Sequence, residues 1–96
     1  METTMNFSDA LLNIKAGRRV ARLGWNGQGM FLYLVGGSMF AVNREPLLSI
    51  LGEGTKVNYL AHIDMRTASG ACVPWIASQT DLLADDWVEV TATTSP

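Results

Sequence analysis

Cysteine is almost missing from this chain: Cys72 stands alone, so no intrachain disulfide can staple the fold. Histidine is equally scarce, and the four nitrogen or sulfur ligands of a structural zinc site cannot be assembled from Cys72 and His62. Charge is thin as well. Seven basic and nine acidic side chains leave a net charge of −2, without the basic excess that general affinity for DNA or RNA requires. No apolar run nears the ~20 residues of a membrane span. The first residues include Glu2 and Asn6 and lack the basic-then-apolar order of a signal peptide. These absences lead to the expectation of a soluble cytoplasmic protein with no metal, no cofactor and no membrane or nucleic-acid partner.

What is present is apolar surface. Hydrophobic residues make up 48% of the 96 and charged ones only 17%, which excludes a disordered chain. One domain spanning 1–96 is expected, with an ordered core over about 6–90 and a loose tail at 91–96. A domain this short buries roughly 60–65% of its unfolded surface, so its apolar share favours area buried between subunits. The charge is uneven: residues 1–48 hold five basic and three acidic groups, and residues 49–96 hold two and six.

The strongest local signal is a helix from Phe7 to Gly17. Phe7, Ala10, Leu11 and Ile14 follow the i, i+3, i+4, i+7 spacing of an amphipathic helix. Ser8 reads as its N-cap, Phe7 and Leu12 as a hydrophobic staple, and Lys15 with Gly17 as the stop. Arg18–Leu23 reads as a strand and Gly24–Gly29 as a turn. Met30–Val35 reads as a strand covered on both faces, and Met39–Val42 as an extension of the same sheet. Asn43–Pro46 enters a short helical turn that Gly52 closes. Val57–Thr67 alternates as one strand, with Asn58, Leu60, His62, Asp64 and Arg66 on one face. Ala68-Ser69-Gly70 turns it into Ala71–Trp75, whose Pro74 requires an edge or a bulge. Ser78-Gln79-Thr80-Asp81 has capping-box spacing and opens a short helix, and Trp87–Thr91 is the last strand. The sum is an α+β domain, a small, mostly antiparallel sheet with one principal N-terminal helix packed on it.

Several residues invite a chemical reading, each beside a plainer one. Trp25 stands among glycines with little to pack on, which favours exposure and ligand stacking. The glycine-rich turn matches neither a P-loop nor a dinucleotide fingerprint, both of which need a following helix. His62, Asp64 and Arg66 recur every second residue, so they point the same way at roughly 6.5–7 Å spacing. That face suits a polar ligand such as a ribose-phosphate, or is simply solvated. Arg18, Arg19 and Arg22 are either a phosphate site or surface charge. Asp81, Asp85 and Asp86 suggest paired catalytic carboxylates, against a helix cap and a turn. Cys72 reads as a small core residue rather than a nucleophile. Trp87 reads as core, and Trp75 as either core or a stacking surface.

Four segments occur in order: Asn6-Phe7-Ser8-Asp9-Ala10-Leu11, Arg22-Leu23-Gly24-Trp25-Asn26-Gly27, His62-Ile63-Asp64-Met65, and Pro74-Trp75 continuing through Ser78-Gln79-Thr80-Asp81 to Trp87. Together, from about Asn6 to Glu89, they resemble the phage family named Thoeris anti-defence protein 2. The resemblance implies a homotetramer that sequesters cyclic ADP-ribose variants, made by the TIR-domain protein of bacterial Thoeris defence, without cleaving them. The expected signal is 1''-3' or 1''-2' glyco-cyclic ADP-ribose, held in the cytoplasm of the infected host. Some relatives also hold cyclic di- or trinucleotides in a second kind of pocket. Carried onto this chain, Trp25 and Trp75 would be the aromatic walls of a pocket at a subunit interface. Asn26, His62, Asp64, Ser78 and Gln79 lie in matching motifs, with helix capping a competing role for the last two. The alternatives are a small nucleotide hydrolase or cyclase using His62 with Asp64 or Asp81, and a protein-only interaction module.

Overall fold

The computed structural model describes residues 3–25 and 29–91. The expected loop residue Asn26 and residues 92–96 of the expected tail lie outside the described residues. In chain order the elements are α1 (Phe7–Lys15), β1 (Arg19–Arg22), β2 (Phe31–Val35), β3 (Ser38–Ala41), α2 (Leu47–Leu51), β4 (Lys56–Tyr59), β5 (His62–Arg66), β6 (Cys72–Pro74), α3 (Gln79–Leu83) and β7 (Trp87–Val90).

Helix α1 opens at Asn6 and not at Ser8. Asn6 is extended (φ −80°, ψ 176°), and its Oδ1 accepts the Asp9 N–H at 3.0 Å. The cap therefore sits two residues earlier than expected, Phe7 falls inside the helix, and Leu12 is 64% exposed, so no staple forms. The inward stripe is unchanged: Ala10 and Ile14 are fully buried, with Phe7 packed beside them. Gly17, at φ +88°, turns the chain out of the helix in a conformation that other residues rarely adopt.

Five strands form one antiparallel sheet in the order β6-β5-β2-β1-β7. Its registers pair Val20 with Leu32, Arg22 with Trp87, and Tyr33 with Asp64. Side chains alternate across a sheet, so these pairs define two faces. One carries Val20, Leu32 and Trp87, which join Ala10 and Ile14 of α1 in the core. The other carries Arg19, Ala21, Phe31, Tyr33, His62, Asp64, Arg66 and Val88. As its proline requires, β6 is an edge strand. The hairpin between β5 and β6 closes where expected, with Gly70 at φ +93° donating its N–H to the Thr67 carbonyl.

Two strand readings are corrected. Val57–Thr67 is not one strand: β4 ends at Tyr59, β5 begins at His62, and the two lie in different sheets. Likewise β3 does not extend the main sheet but pairs with β4 in a separate two-stranded ribbon. Both chain segments leave the main sheet together at one crossing. A β-carbon on Gly37 would lie 2.7 Å from the Tyr59 carbonyl oxygen and 3.2 Å from the Ala61 nitrogen, so backbone touches backbone there. Alternation of side chains continues through such a switch, which is why periodicity alone does not reveal it. β2 also differs from expectation. Leu32 is fully buried, but Leu34 on the same face is 37% exposed.

The crossing yields a stability prediction. Gly37→Ala should destabilise the protein by about 1–3 kcal/mol, because its methyl group meets backbone that cannot swing aside. Gly36→Ala, with open space around its β-carbon, should stay within about 0.5 kcal/mol of wild type. Thermal melts of the two variants check the contrast.

Candidate functional site

At one end of the helix-facing side of the sheet, four aromatic rings meet. Trp87 is fully buried, as expected. Trp25 packs edge-on against it at 5.3 Å between centroids (80°), and Trp75 does the same from another side at 6.2 Å (87°). Phe7 of α1 lies 5.2 Å from Trp87 and 5.9 Å from Trp75. Trp25 and Trp75 are each half-buried. Trp25 is therefore not the free-standing aromatic that its glycine neighbours suggested, because the fold brings Trp87 and Asp81 to it. Trp75 combines its two readings: part of the ring packs on the core, and part is open.

Beside this cluster lies a charged knot that sequence reasoning did not find. Arg22 points to the same face as Val20, where its side chain is only 15% exposed. Its Nη1 donates to Asp81 Oδ1 and its Nε to Asp86 Oδ1, both at 2.8 Å. Asp81 Oδ1 also accepts Trp25 Nε1–H at 3.3 Å, and the Asp81 carbonyl accepts Trp87 Nε1–H at 3.0 Å. Asp86 Oδ2 takes the Gly24 N–H at 2.8 Å. A β-carbon on Gly24 would stand 2.9 Å from that oxygen, which accounts for glycine there. Asp81 is the third residue of α3 and completes the expected capping box: Ser78 Oγ accepts its N–H at 3.0 Å, and its carboxylate accepts the Ser78 N–H at 3.4 Å.

The knot shapes the titration of its members. Burial would raise the Asp81 carboxyl, but bonds from Arg22, Trp25 and Ser78 outweigh it and hold Asp81 below the usual carboxylate range. The Arg22 guanidinium holds Asp86 below that range too, against a smaller opposing effect of burial. The two carboxylates in turn hold Arg22 above its ordinary value. Neither earlier reading of Arg22 survives, because it is neither a free phosphate ligand nor a solvent charge. Asp81 and Asp86 are a cap and a turn anchor rather than a pair of acids sharing a proton. Among the other basic residues of this region, Arg18 is exposed, and Arg19 lies over the Phe31 ring at 5.2 Å.

The remaining candidates lie elsewhere. Ile63 and Met65 pack toward the core, so the residues that alternate with them, His62, Asp64 and Arg66, project from the opposite face of the sheet. His62 Nε2 is 3.4 Å from Asp64 Oδ1, a charged pair only when the imidazole is protonated. Asp64 Oδ1 is buried and accepts no hydrogen bond among the described residues. Cys72 corrects its expectation: it is exposed, because β6 is an edge strand and not a covered one. Its sulfur, accepting from the Tyr33 phenol, pushes that phenol up to about 12. Trp25, Trp75, Ser78 and Gln79 are thus grouped around one end of the helix face, while His62 and Asp64 sit behind the sheet. On the β3–β4 ribbon a third feature appears, a depression of about 500 Å³ beside Arg44 and the stacked Phe40–Tyr59 rings (5.4 Å, 13°). No motif in the sequence pointed there.

Among the described residues no three His, Cys, Asp or Glu side chains converge to hold a metal ion, and no helix is long and apolar enough to cross a membrane. The architecture is a helix-backed antiparallel sheet with an aromatic cluster at its rim. The family profile described as Tad2-like, a Thoeris anti-defense 2-like domain, matches residues 5–90. The chain is also 38% identical over 90 residues to Thoeris anti-defense 2 of Bacillus phage SP01, covering 91% of this chain and 96% of that protein. It belongs to the Thoeris anti-defense 2-like family, and that membership supports a phage anti-defence role.

The charged knot should be visible in acid. Asp86 titrates below its unfolded value of about 3.9, so its contribution to stability is fully present above that pH and lost as pH falls through the folded value. Asp86→Asn should cost about 1 kcal/mol at neutral pH, a figure already reduced for the solvent screening of a partly exposed pair. The gap in melting temperature between wild type and variant should close as the pH drops below about 4. A gap that stays constant from neutral to acid pH would remove the Arg22 pair as its source.

Proposed function

We propose that this protein binds a cyclic ADP-ribose-type signalling nucleotide, 1''-3' or 1''-2' glyco-cyclic ADP-ribose, and holds it uncleaved in the cytoplasm of an infected bacterial host, so that the Thoeris effector is never activated. The observation that carries this reading is the pair of half-open indoles, Trp25 and Trp75, each set edge-on against the buried Trp87. Edge-on packing anchors a ring while leaving part of its flat surface available for a base. Two stacks at ~1–3 kcal/mol each, with a few charge-assisted hydrogen bonds at ~1.5–3 kcal/mol each, reach the gross strength that a stoichiometric sponge needs.

The hydrolase or cyclase alternative draws less support. Asp81 and Asp86 are committed to Arg22 and kept ionised, which suits neither to act as a general acid. His62 and Asp64 face away from the tryptophans, so the two groups do not converge on one ligand within a single chain. That separation favours a pocket shared between copies, with His62 and Asp64 of one subunit approaching the aromatic rim of another. Gln79 would add polar contacts beside the indoles, and Asn26 is proposed as a ligand contact from its motif alone, while Ser78 already serves as a cap. Exposed apolar side chains, among them Ile76 at 91% and Leu83 at 78%, supply surface for assembly into a homotetramer. The protein-only interaction module draws on the same apolar surface but gives no role to the open indoles. Cyclic di- and trinucleotides enter as further ligands, at this pocket or a second one.

Incubation with the nucleotide, denaturation and mass spectrometry should return it intact, whereas an altered product would establish catalysis instead. In calorimetric titrations Trp25→Ala and Trp75→Ala should each weaken binding by ~1–3 kcal/mol, with Phe at either position costing less. Trp87→Ala should act on the fold, at about 3–5 kcal/mol of stability. Asp85→Ala and Cys72→Ser should leave nucleotide retention largely intact. Light scattering should give a mass well above that of the 10.4 kDa chain, and a monomer at micromolar concentration would contradict the shared pocket.

A further inference from the structure

Trp25 is tied down at both its ends, and both ties lead to one side chain. Its backbone follows Gly24, whose N–H is held by Asp86 Oδ2 at 2.8 Å. Its indole N–H is held by Asp81 Oδ1 at 3.3 Å. The two carboxylates have nothing covalent in common and come from different segments, one from α3 and the other from the turn before β7. What joins them is Arg22, with Nη1 on Asp81 and Nε on Asp86, each at 2.8 Å. Arg22 also closes the turn through its own backbone, since its carbonyl accepts the Trp25 N–H at 3.3 Å. Through Asp81 the same guanidinium reaches the cap of α3, the helix that follows the Trp75 segment.

We propose that Arg22 is a positioning residue: its fork holds Asp81 and Asp86 at a fixed separation, and thereby sets the indole of Trp25 relative to Trp75 before any ligand arrives. This inference rests on the pocket reading above for its functional consequence, but the geometry it asserts belongs to the free protein. A preset ring loses less freedom on binding than a mobile one, so the gain appears as affinity. Lysine cannot replace arginine here. A guanidinium offers several donors in one plane, whereas an ammonium is a single point of charge and cannot keep two carboxylates at fixed places. In this scheme Arg22 acts through the two aspartates that its Nε and Nη1 hold, not through the ligand.

The test is a pair of readings on 15N-labelled protein, with the Trp25 indole resonance assigned by its loss in Trp25→Phe. In Arg22→Met the Trp25 indole N–H should shift toward the position of an unbonded indole and exchange faster with solvent. The Trp87 indole, bonded to the Asp81 carbonyl at 3.0 Å, should keep its resonance. Binding of 1''-3' glyco-cyclic ADP-ribose should weaken by about tenfold at a temperature where the variant is fully folded, the loss expected of one disturbed charge-assisted contact. Arg22→Lys should restore stability more than it restores the Trp25 resonance or the affinity. Should Arg22→Met not fold, Asp86→Asn serves in its place: it loosens one leg of the Arg22 fork, leaves Asp81 as the acceptor of the indole, and should shift the Trp25 resonance in the same direction. An unmoved Trp25 resonance, or Trp25 and Trp87 resonances that shift together with the melting temperature, overturns the positioning role. Wild-type protein that fails to bind the nucleotide overturns the pocket reading instead, and the indole measurement made without ligand tells the two failures apart.

Discussion

A buried indole must satisfy its N–H, and in this protein the architecture around the candidate site depends on that of Trp87. An unbonded donor in an apolar interior costs about 1–3 kcal/mol, so Trp87 Nε1 requires a carbonyl, and it finds the one on Asp81. That single bond draws α3 against the end of β7, although α3 is only five residues long and has no buried residue of its own. Once α3 is there, its Asp81 carboxylate lies within reach of Arg22 from β1. The same ring receives Phe7 of α1, Trp25 from the turn after β1 and Trp75 from beyond β6. Four other segments of the chain thus meet at one side chain near the C-terminal end of the described residues. The Met5 and Trp87 backbones exchange N–H and carbonyl bonds there as well, which ties in the N-terminus.

The charged knot gains its importance from being half in and half out of water. Arg22 and Asp81 are mostly covered, and Asp86 less so. Fully buried ion pairs often barely offset the cost of removing both charges from water. Here part of that cost is avoided, and each carboxylate also accepts a further donor, from the Trp25 indole or the Gly24 backbone. The arrangement consumes both aspartates and the arginine. Three residues that suggest catalysis or phosphate binding in the sequence are thereby converted into scaffolding, and the tryptophans are left as the groups with open surface.

The two faces of the sheet carry different chemistry, which constrains how any one ligand can use them. The indoles stand at the rim of the helix-covered face, and the His62–Asp64 pair stands behind it. A five-stranded sheet lies between, so a small molecule that touches both groups must be held between two chains. The apolar composition also shows near the site: exposed leucine and isoleucine side chains on α3 and its approach lie close to the aromatic rim.

Local rules decided much by themselves. The inward stripe of α1, the turn at Gly70 and the capping box at Ser78 each depend on neighbours within a few residues, and each is legible in the sequence, while Pro74 narrowed its strand to an edge or a bulge. The alternation of His62 and Asp64 also told correctly that they share a face. Which face that was could be decided only by the tertiary structure, because period two is the same on either side of a sheet. The break between β4 and β5 was hidden for the same reason, since alternation runs unbroken through a strand that changes sheets at the Gly37 crossing. Cys72, expected as a small core residue from its apolar neighbours, is exposed on the edge strand β6, because what covers a strand is set by distant packing. Arg22, Asp81 and Asp86 are separated by up to 64 residues, and no spacing rule links charges that far apart. Their meeting around Trp25 exists only once Trp87 is buried and α3 has closed over it.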